Sequence, residues 1–484
     1  MSGKNTSSGR TFSWLLILLL FGLGLYLLLG KNSLSLQPWH TVKLAEEFSE
    51  DNRDSIRTFD QYLRLEERLF KELEQRIYRQ SDGGTGFALS RYRSGSPADP
   101  HRLDPDWNRS FELVSEKPLG GVLLLHGMSD SPYSLRALGE TLNRRGYWVV
   151  GLRLPGHGTV PSGLKAVTWE EMDAALGLAV QHLSAKIGRQ PLHLIGYSTG
   201  APLALNYSLD ALENQALPVP ASLILISPAI GLHPAAGLAG IKNWLSVLPG
   251  LGHLAWLSIH PEFDPYKYNS FATNAGNQVF RLTRTVSRRI AAWAQDNPLE
   301  LFPPILVFKS TVDATVSENA VVDDLLNPLN SPRHELVLFD INRLSLKSSL
   351  LIANPSPFTE RLMSDQSLPF ALTLVTNENQ KSLAVVAMRK GPQSGGSPEI
   401  SDLRLRWPRG VFSLSHVALP FDPTDPLYGE QAPAGGTLIH LGQLDLKGER
   451  NVLKIPYDWL LRMRYNPFYE YLERRTMQWL EDVP

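Results

Sequence analysis

The run Leu192-His193-Leu194-Ile195-Gly196-Tyr197-Ser198-Thr199-Gly200-Ala201 decides how the rest of the chain is read. It is a short apolar strand leading into Gly-x-Ser-x-Gly. Ala201-Pro202-Leu203-Ala204-Leu205 then starts a helix. The order of strand, tight turn with serine and helix is that of a nucleophile elbow. Each part has a mechanical reason. The serine must adopt a strained backbone conformation, and Gly196 and Gly200 leave room for a close approach of strand and helix. The turn lifts the Ser198 hydroxyl out at the top of a sheet, where the helix N-terminus favours developing negative charge. A glycine-rich turn without chemistry has the same short pattern. The strand before it and the helix after it favour the catalytic reading.

Working outward, the chain has 484 residues, enough for a core domain with additions. Hydrophobic residues at 43% and charged residues at 20% describe a globular protein with ample core. A net charge of −1 argues against a nucleic-acid-binding surface or a polybasic membrane patch. With no cysteine, disulfides, thiolate zinc sites and cysteine nucleophiles are excluded.

Residues 1–11 read as a tail. Phe12 to Gly30 is an apolar run closed by Lys31, and as a helix it would extend roughly 28 Å, close to a bilayer core. No small-x-small cleavage site follows it, so the expectation is an uncleaved transmembrane anchor. Lys4 and Arg10 before the run suggest an inside N-terminus, with the large domain on the non-cytoplasmic face of a single-pass membrane protein.

Residues 31–108 read as a helical stalk and connector. Ile56, Phe59, Leu63, Leu69, Phe70, Leu73 and Ile77 recur with helical, one-sided spacing, and a Gly/Pro/Ser-rich stretch runs from Ser81 to Asn108. The body follows, with a first part over 109–232, a cap over 233–300 and a second part over 301–484 that carries an insertion at about 343–410. Strands are expected near Ser110–Ser115 and at Gly121–Leu125, Trp148–Leu152, the elbow strand, Ala221–Ser227, Pro304–Ser310 and Glu335–Phe339. Helices are expected at Leu135–Arg145 and Trp169–Ile187. Alternation of buried strands and helices predicts a mostly parallel, doubly covered α/β sheet.

Three stretches then stand in order: His126-Gly127-Met128-Ser129-Asp130-Ser131-Pro132 after one strand, Leu154-Pro155-Gly156-His157-Gly158-Thr159 after the next, and Gly-Tyr-Ser-Thr-Gly at the elbow. In these the chain resembles the α/β-hydrolase superfamily, in particular its monoacylglycerol lipase and carboxylesterase branch. The resemblance covers about Gly120 to Ser317 well and the C-terminal part loosely.

It implies a serine hydrolase with a Ser-His-Asp triad and no metal or cofactor, in the chain order serine, acid, histidine. The acid is then Asp313, in Thr311-Val312-Asp313-Ala314-Thr315-Val316 at the end of a buried strand, with Asp340 in reserve. The family places its histidine soon after the next strand, yet here Asp340-Ile341-Asn342-Arg343 follows that strand. The next histidine is His416, in a loop before Pro420 as in the family. His440, among Leu438, Ile439 and Leu441, reads as a buried strand histidine, and His334 falls at the wrong end of the sheet. The backbone N–H groups of Met128 and Thr199 are the implied oxyanion donors, while His126 and His157 belong to structural turns.

The cap is apolar and aromatic, with Trp244, Trp256, Tyr266, Tyr268 and Phe271, followed by a helix at Ala275–Trp293. Such a lid suits an acyl chain, although its aromatics equally suit a small core of their own. The function expected is hydrolysis of carboxylic esters of lipid or monoacylglycerol type, at a membrane reached through the N-terminal helix. Alternatives are acyl transfer through the same triad and a non-catalytic scaffold of this fold.

Overall fold

In a computed structural model of the chain, the described residues are 22, 35–81, 88–231, 252–312, 319–344, 354–432, 439–442 and 462–483. The strands of the body are β1 (Phe111–Leu113), β2 (Gly121–Leu125), β3 (Trp148–Leu152), β4 (Leu192–Tyr197) and β5 (Ser222–Ile226). A small antiparallel pair, β6 (Trp256–Ser258) and β7 (Phe271–Ala272), precedes β8 (Ile305–Ser310) and β9 (Glu335–Phe339). Three more strands follow: β10 (Ala371–Asn377), β11 (Ala384–Lys390) and β12 (Glu399–Arg406).

Apart from β6 and β7 these form one sheet, in the order β1-β3-β2-β4-β5-β8-β9-β10-β11-β12. From β3 to β10 the neighbours are parallel, whereas β1, β11 and β12 run antiparallel at the two edges. The central strands are unbroken apolar runs, such as Gly-Val-Leu-Leu-Leu in β2 and Ser-Leu-Ile-Leu-Ile in β5, because both faces of a parallel sheet are covered. At the β12 edge, a register shift at Val385/Val386 and Arg404 at φ 57° make a bulge, which blunts an otherwise open strand.

Helices cover both faces. α1 (Phe59–Leu73), α3 (Trp169–Ile187), α4 (Gly200–Glu213) and α5 (Thr273–Asp296) pack on the face that holds Leu123, Leu125 and Leu194. α2 (Tyr133–Arg144) and α7 (Tyr469–Asp482) cover the opposite face, with Val122, Leu124 and Ile195. This division follows from the two-residue period of a strand. α6 (Ser356–Ser364) leads into β10 and buries Phe358 and Leu362.

α1 starts at a capping box, in which Thr58 accepts from the Gln61 amide and Gln61 answers the Thr58 amide. Its apolar stripe, Phe59, Tyr62, Leu65, Leu69 and Leu73, is buried against the body. Tyr62 donates to the Arg153 carbonyl over 2.6 Å, and Arg153 is buried between Glu66 of α1 and Glu47, each at 2.9 Å. Tyr92, from the Gly/Pro/Ser-rich stretch, donates to the Thr159 carbonyl over 2.8 Å. Within residues 31–108, Phe48, Phe59, Tyr62 and Leu65 join the sheet's core, while Leu69, Leu73, Ile77 and Tyr92 form a neighbouring cluster with Val160.

One expectation is corrected. Among the described residues no helix is long and apolar enough to cross a membrane. The transmembrane helix expected over Phe12–Gly30 is set aside on that finding, together with single-pass placement on the non-cytoplasmic face; apart from Gly22 those residues lie outside the described ones. A span needs about 20 consecutive apolar residues in one helix, and no described helix supplies them.

Candidate active site

Ser198 sits between β4 and α4 with φ 52°, in the left-handed region. A non-glycine residue held there costs on the order of 1–3 kcal/mol, so its surroundings must impose it. They do so through the backbone. The Ser198 amide donates to Ile226 over 2.9 Å, and its carbonyl accepts from Ala229 over 3.1 Å and Ala201 over 3.2 Å. The flanking glycines are sterically required. A Cβ on Gly196 would lie 2.5 Å from the Gly200 carbonyl carbon, and one on Gly200 would run into the Leu125 carbonyl oxygen. Ser198 itself is half-buried.

The turn after β2 meets the elbow directly, since a Cβ on Gly127 would stand 3.0 Å from that of Ser198. This brings Met128 alongside the nucleophile candidate. Among the described residues, neither the Met128 nor the Thr199 amide has a protein acceptor. Thr199 is buried at the head of α4, and Met128 is half-buried against the core. Two such amides beside a half-buried serine have the character of an oxyanion hole.

His126 holds this turn. Its Nε2 accepts from the Leu154 amide over 3.1 Å, so Nδ1 carries the proton and donates to the Gly127 carbonyl over 2.8 Å. Burial, reinforced by His157, pushes its pKa well below the ordinary value. His157 Nδ1 lies 2.9 Å from the Pro155 carbonyl, and burial lowers its pKa to about 4. Both rings are neutral braces.

His416 opens a single 3-10 turn, His416–Ala418. Leu414 and Ala418, two residues before and after it in the chain, are buried in the core, and His416 itself is half-buried. Its carbonyl accepts from the Ser227 hydroxyl over 3.3 Å. Ser227 directly follows β5, whose last residue, Ile226, receives the Ser198 amide. His416 thus lies at the strand ends where the elbow turns, although it is 218 positions further along the chain.

The route explains that separation. After β9 the chain extends the sheet by β10, β11 and β12 and then comes back to the end of β9. At the return, Asn342 donates its amide to Phe412 and its side-chain Nδ2 to Val411, each over 2.8 Å. The two ends of the intervening segment meet, so the loop bearing His416 continues from where β9 ends.

Asp340 and His334 are engaged in other contacts. Asp340 is buried, with its carboxylate bound by Arg343 Nε at 2.6 Å, Thr376 Oγ1 at 2.7 Å and the Ile341 amide at 2.8 Å. It fastens β9 to β10. His334 Nδ1 accepts from the Ile305 amide over 3.1 Å, at the start of β8 and so at the end of the sheet opposite the elbow. His440 is half-buried and lies outside any strand, with Ile439 bound to Pro97 and Leu441 bound to Leu427. Asp313 lies outside the described residues, and β8 ends at Ser310, just before it.

Of the cap, Ile241, Trp244, Leu245, Leu248 and Leu251 are outside the described residues. The described aromatics dock on the body. Tyr266 stacks on Tyr133 at 4.1 Å, Tyr268 accepts from the Thr159 amide over 2.7 Å, and the Tyr268 amide donates to the Ser129 carbonyl over 2.8 Å. Lys267 stands 3.9 Å from Asp130 in the oxyanion turn. Burial raises the Asp130 carboxyl to about 6, against the opposing pull of Lys267. Ser227, Asn342 and Lys267 escape a motif reading. The only trace of the first is a serine before Pro228 at the end of an apolar strand.

The Hydrolase_4 family, described as serine aminopeptidase, S33, matches residues 116–342. A thermostable monoacylglycerol lipase from Bacillus sp. (strain H-257) is 32% identical over 217 residues, which span 45% of this chain and 79% of the relative. Among solved structures, a Paleococcus ferrophilus monoacylglycerol lipase is similar at 18% identity and a TM-score of 0.37, over 48% of this chain and 88% of that one. A soluble variant of a Saccharomyces cerevisiae monoglyceride lipase is similar at 17% identity and a TM-score of 0.37, over 48% and 82%.

Proposed function

The chain belongs to the α/β-hydrolase family, in the branch of monoacylglycerol lipases and esterases, and is a carboxylic ester hydrolase; from that premise we propose that it works through Ser198, His416 and Asp313, with the Met128 and Thr199 amides as oxyanion hole. The observation that carries this reading is Ser198 at φ 52° on the turn between β4 and α4, against the Gly127-Met128 turn. His416 is supported by the Ser227 bond at the strand ends. Asp313 is supported by its position after β8 and by the family's chain order.

In the cycle, His416 takes the Ser198 proton as the Ser198 oxygen bonds to the ester carbonyl carbon. The carbonyl oxygen gains charge, which the two amides hold. The carbon–alkoxy bond then breaks, and the alkoxide takes the proton from His416. A water, deprotonated by His416, attacks the acyl-enzyme, the carboxylic acid leaves, and the proton returns to Ser198. The substrate class proposed is an acyl ester of lipid or monoacylglycerol type. The monoacylglycerol lipase activity for which the Bacillus relative is named and the apolar character of the cap support it.

The test is labelling of the purified full-length protein with a fluorophosphonate, beside Ser198→Ala and His416→Ala. Labelling is expected for the wild type and lost in both variants. Labelling that survives His416→Ala moves the base elsewhere. A folded wild type that does not label sinks the serine mechanism and favours a scaffold.

A further inference from the structure

The turn Ser227-Pro228-Ala229 bonds to both the Ser198 turn and the His416 loop. The Ala229 amide donates to the Ser198 carbonyl over 3.1 Å, and Thr283 of α5 donates to the Ala229 carbonyl over 2.8 Å. The Ser227 hydroxyl donates to the His416 carbonyl over 3.3 Å. Ser227 is buried, with φ 46°, and its amide is tied to Phe308 over 2.8 Å. A non-glycine residue in that conformation needs a compensating reason. A glycine would fit the backbone better but would lose the hydroxyl. The loop it grips is reached only after the whole β10–β12 excursion, so local sequence does little to hold it.

We propose that Ser227 is a positioning residue: its hydroxyl holds the His416 loop in register with the nucleophile turn, fixing the imidazole for proton transfer. This rests on the reading of His416 as the base. Ser227 touches no reacting atom, so its removal should weaken the steps that need an accurately placed imidazole. The most demanding of these is protonation of a poor leaving group. An alkoxide must receive a proton from the histidine as it departs, whereas a nitrophenolate departs without one.

The experiment compares the wild type with Ser227→Gly and Ser227→Ala in the full-length protein. Two esters of one acyl chain are used, one of an alkyl alcohol and one of nitrophenol. Glycine removes the hydroxyl while easing the backbone, and alanine removes it without doing so. A shared kinetic effect is then due to the lost bond. We expect both variants to lose roughly five- to tenfold in kcat/KM on the alkyl ester, the scale of one hydrogen bond. Loss on the nitrophenyl ester should be about twofold or less, with thermal midpoints of Ser227→Gly and the wild type in agreement.

An equal loss on both esters, or no loss, overturns the role of Ser227. Labelling of His416→Ala at the wild-type rate instead overturns the base assignment, and this inference with it. Loss of labelling in His416→Ala, together with unselective Ser227 variants, leaves the base standing and removes only Ser227.

Discussion

The side-chain amide of Asn342 donates to the carbonyl of Val411, 2.8 Å away in space and 69 residues further along the chain. That bond, with the neighbouring amide-to-Phe412 bond, returns the chain from three added strands to the end of β9. It brings the loop that carries His416 back to the end of β9.

Asn342 is fully buried, and its Oδ1 also accepts from Leu344 and Asn377. Asn342→Ala should therefore leave buried Asn377 and half-buried Val411 short of a partner and cost about 1–3 kcal/mol, measured by denaturant unfolding. Fluorophosphonate labelling at a temperature where the variant is folded should also slow. An unchanged labelling rate would detach this junction from the site.

Gly200→Ala places a methyl group against the Leu125 carbonyl, which is backbone and cannot yield. Destabilisation of about 3 kcal/mol is expected, with no labelling of whatever folds. Gly177→Ala, where nothing lies near the added methyl, should leave both stability and labelling intact and serves as the control.

Arg153 is buried between Glu47 and Glu66, which come from the N-terminal segment and α1. Arg153→Met leaves two carboxylates uncompensated, one of them buried, and should cost about 3–5 kcal/mol in chemical denaturation. A loss below about 1 kcal/mol would mean that the N-terminal layer is held by its apolar stripe alone.

Two buried groups should tilt stability with pH in opposite directions. His157 has its folded pKa lowered by burial to about 4, so the stability it contributes is present above about 6.5 and is lost as pH falls toward 4. His157→Asn should flatten that decline. Asp130 has its folded pKa raised by burial to about 6, so its contribution is present below about 4 and is lost as pH rises through 6. Asp130→Asn should gain on the wild type over that interval. Thermal midpoints between pH 4 and 8 read both, and parallel curves for wild type and variants would refute the burial argument.

The first half of the sheet was legible because its causes are local. Apolar runs such as Gly121–Leu125 and Trp148–Leu152 appear as strands with those bounds, and Trp169–Ile187 appears as a helix behind its Thr168–Glu171 capping box. The cap was legible only in composition, since Tyr266 and Tyr268 alternate equally well as acyl-chain lining and as docking residues. The apolar run at 12–30 shows the opposite hazard, in which a pattern of the right length suggested a spanning helix found nowhere among the described residues.

By itself, the sequence determined the alternating α/β order, the elbow at Ser198 and the turn that brings Met128 to it. Each depends on steric and hydrogen-bonding demands within a few residues, above all on glycines at 127, 196 and 200. The tertiary structure alone displays how the loop of residue 416 comes back beside β5 and β9, because that return depends on the Asn342 and Ser227 bonds across very different parts of the chain. It also decided that α1 belongs to the core, because an amphipathic stripe specifies that a face is buried but not against what. The Tyr62 bond to Arg153, the burial of Arg153 between Glu47 and Glu66, and the packing of Phe59 and Leu65 with the sheet's leucines identify the partner.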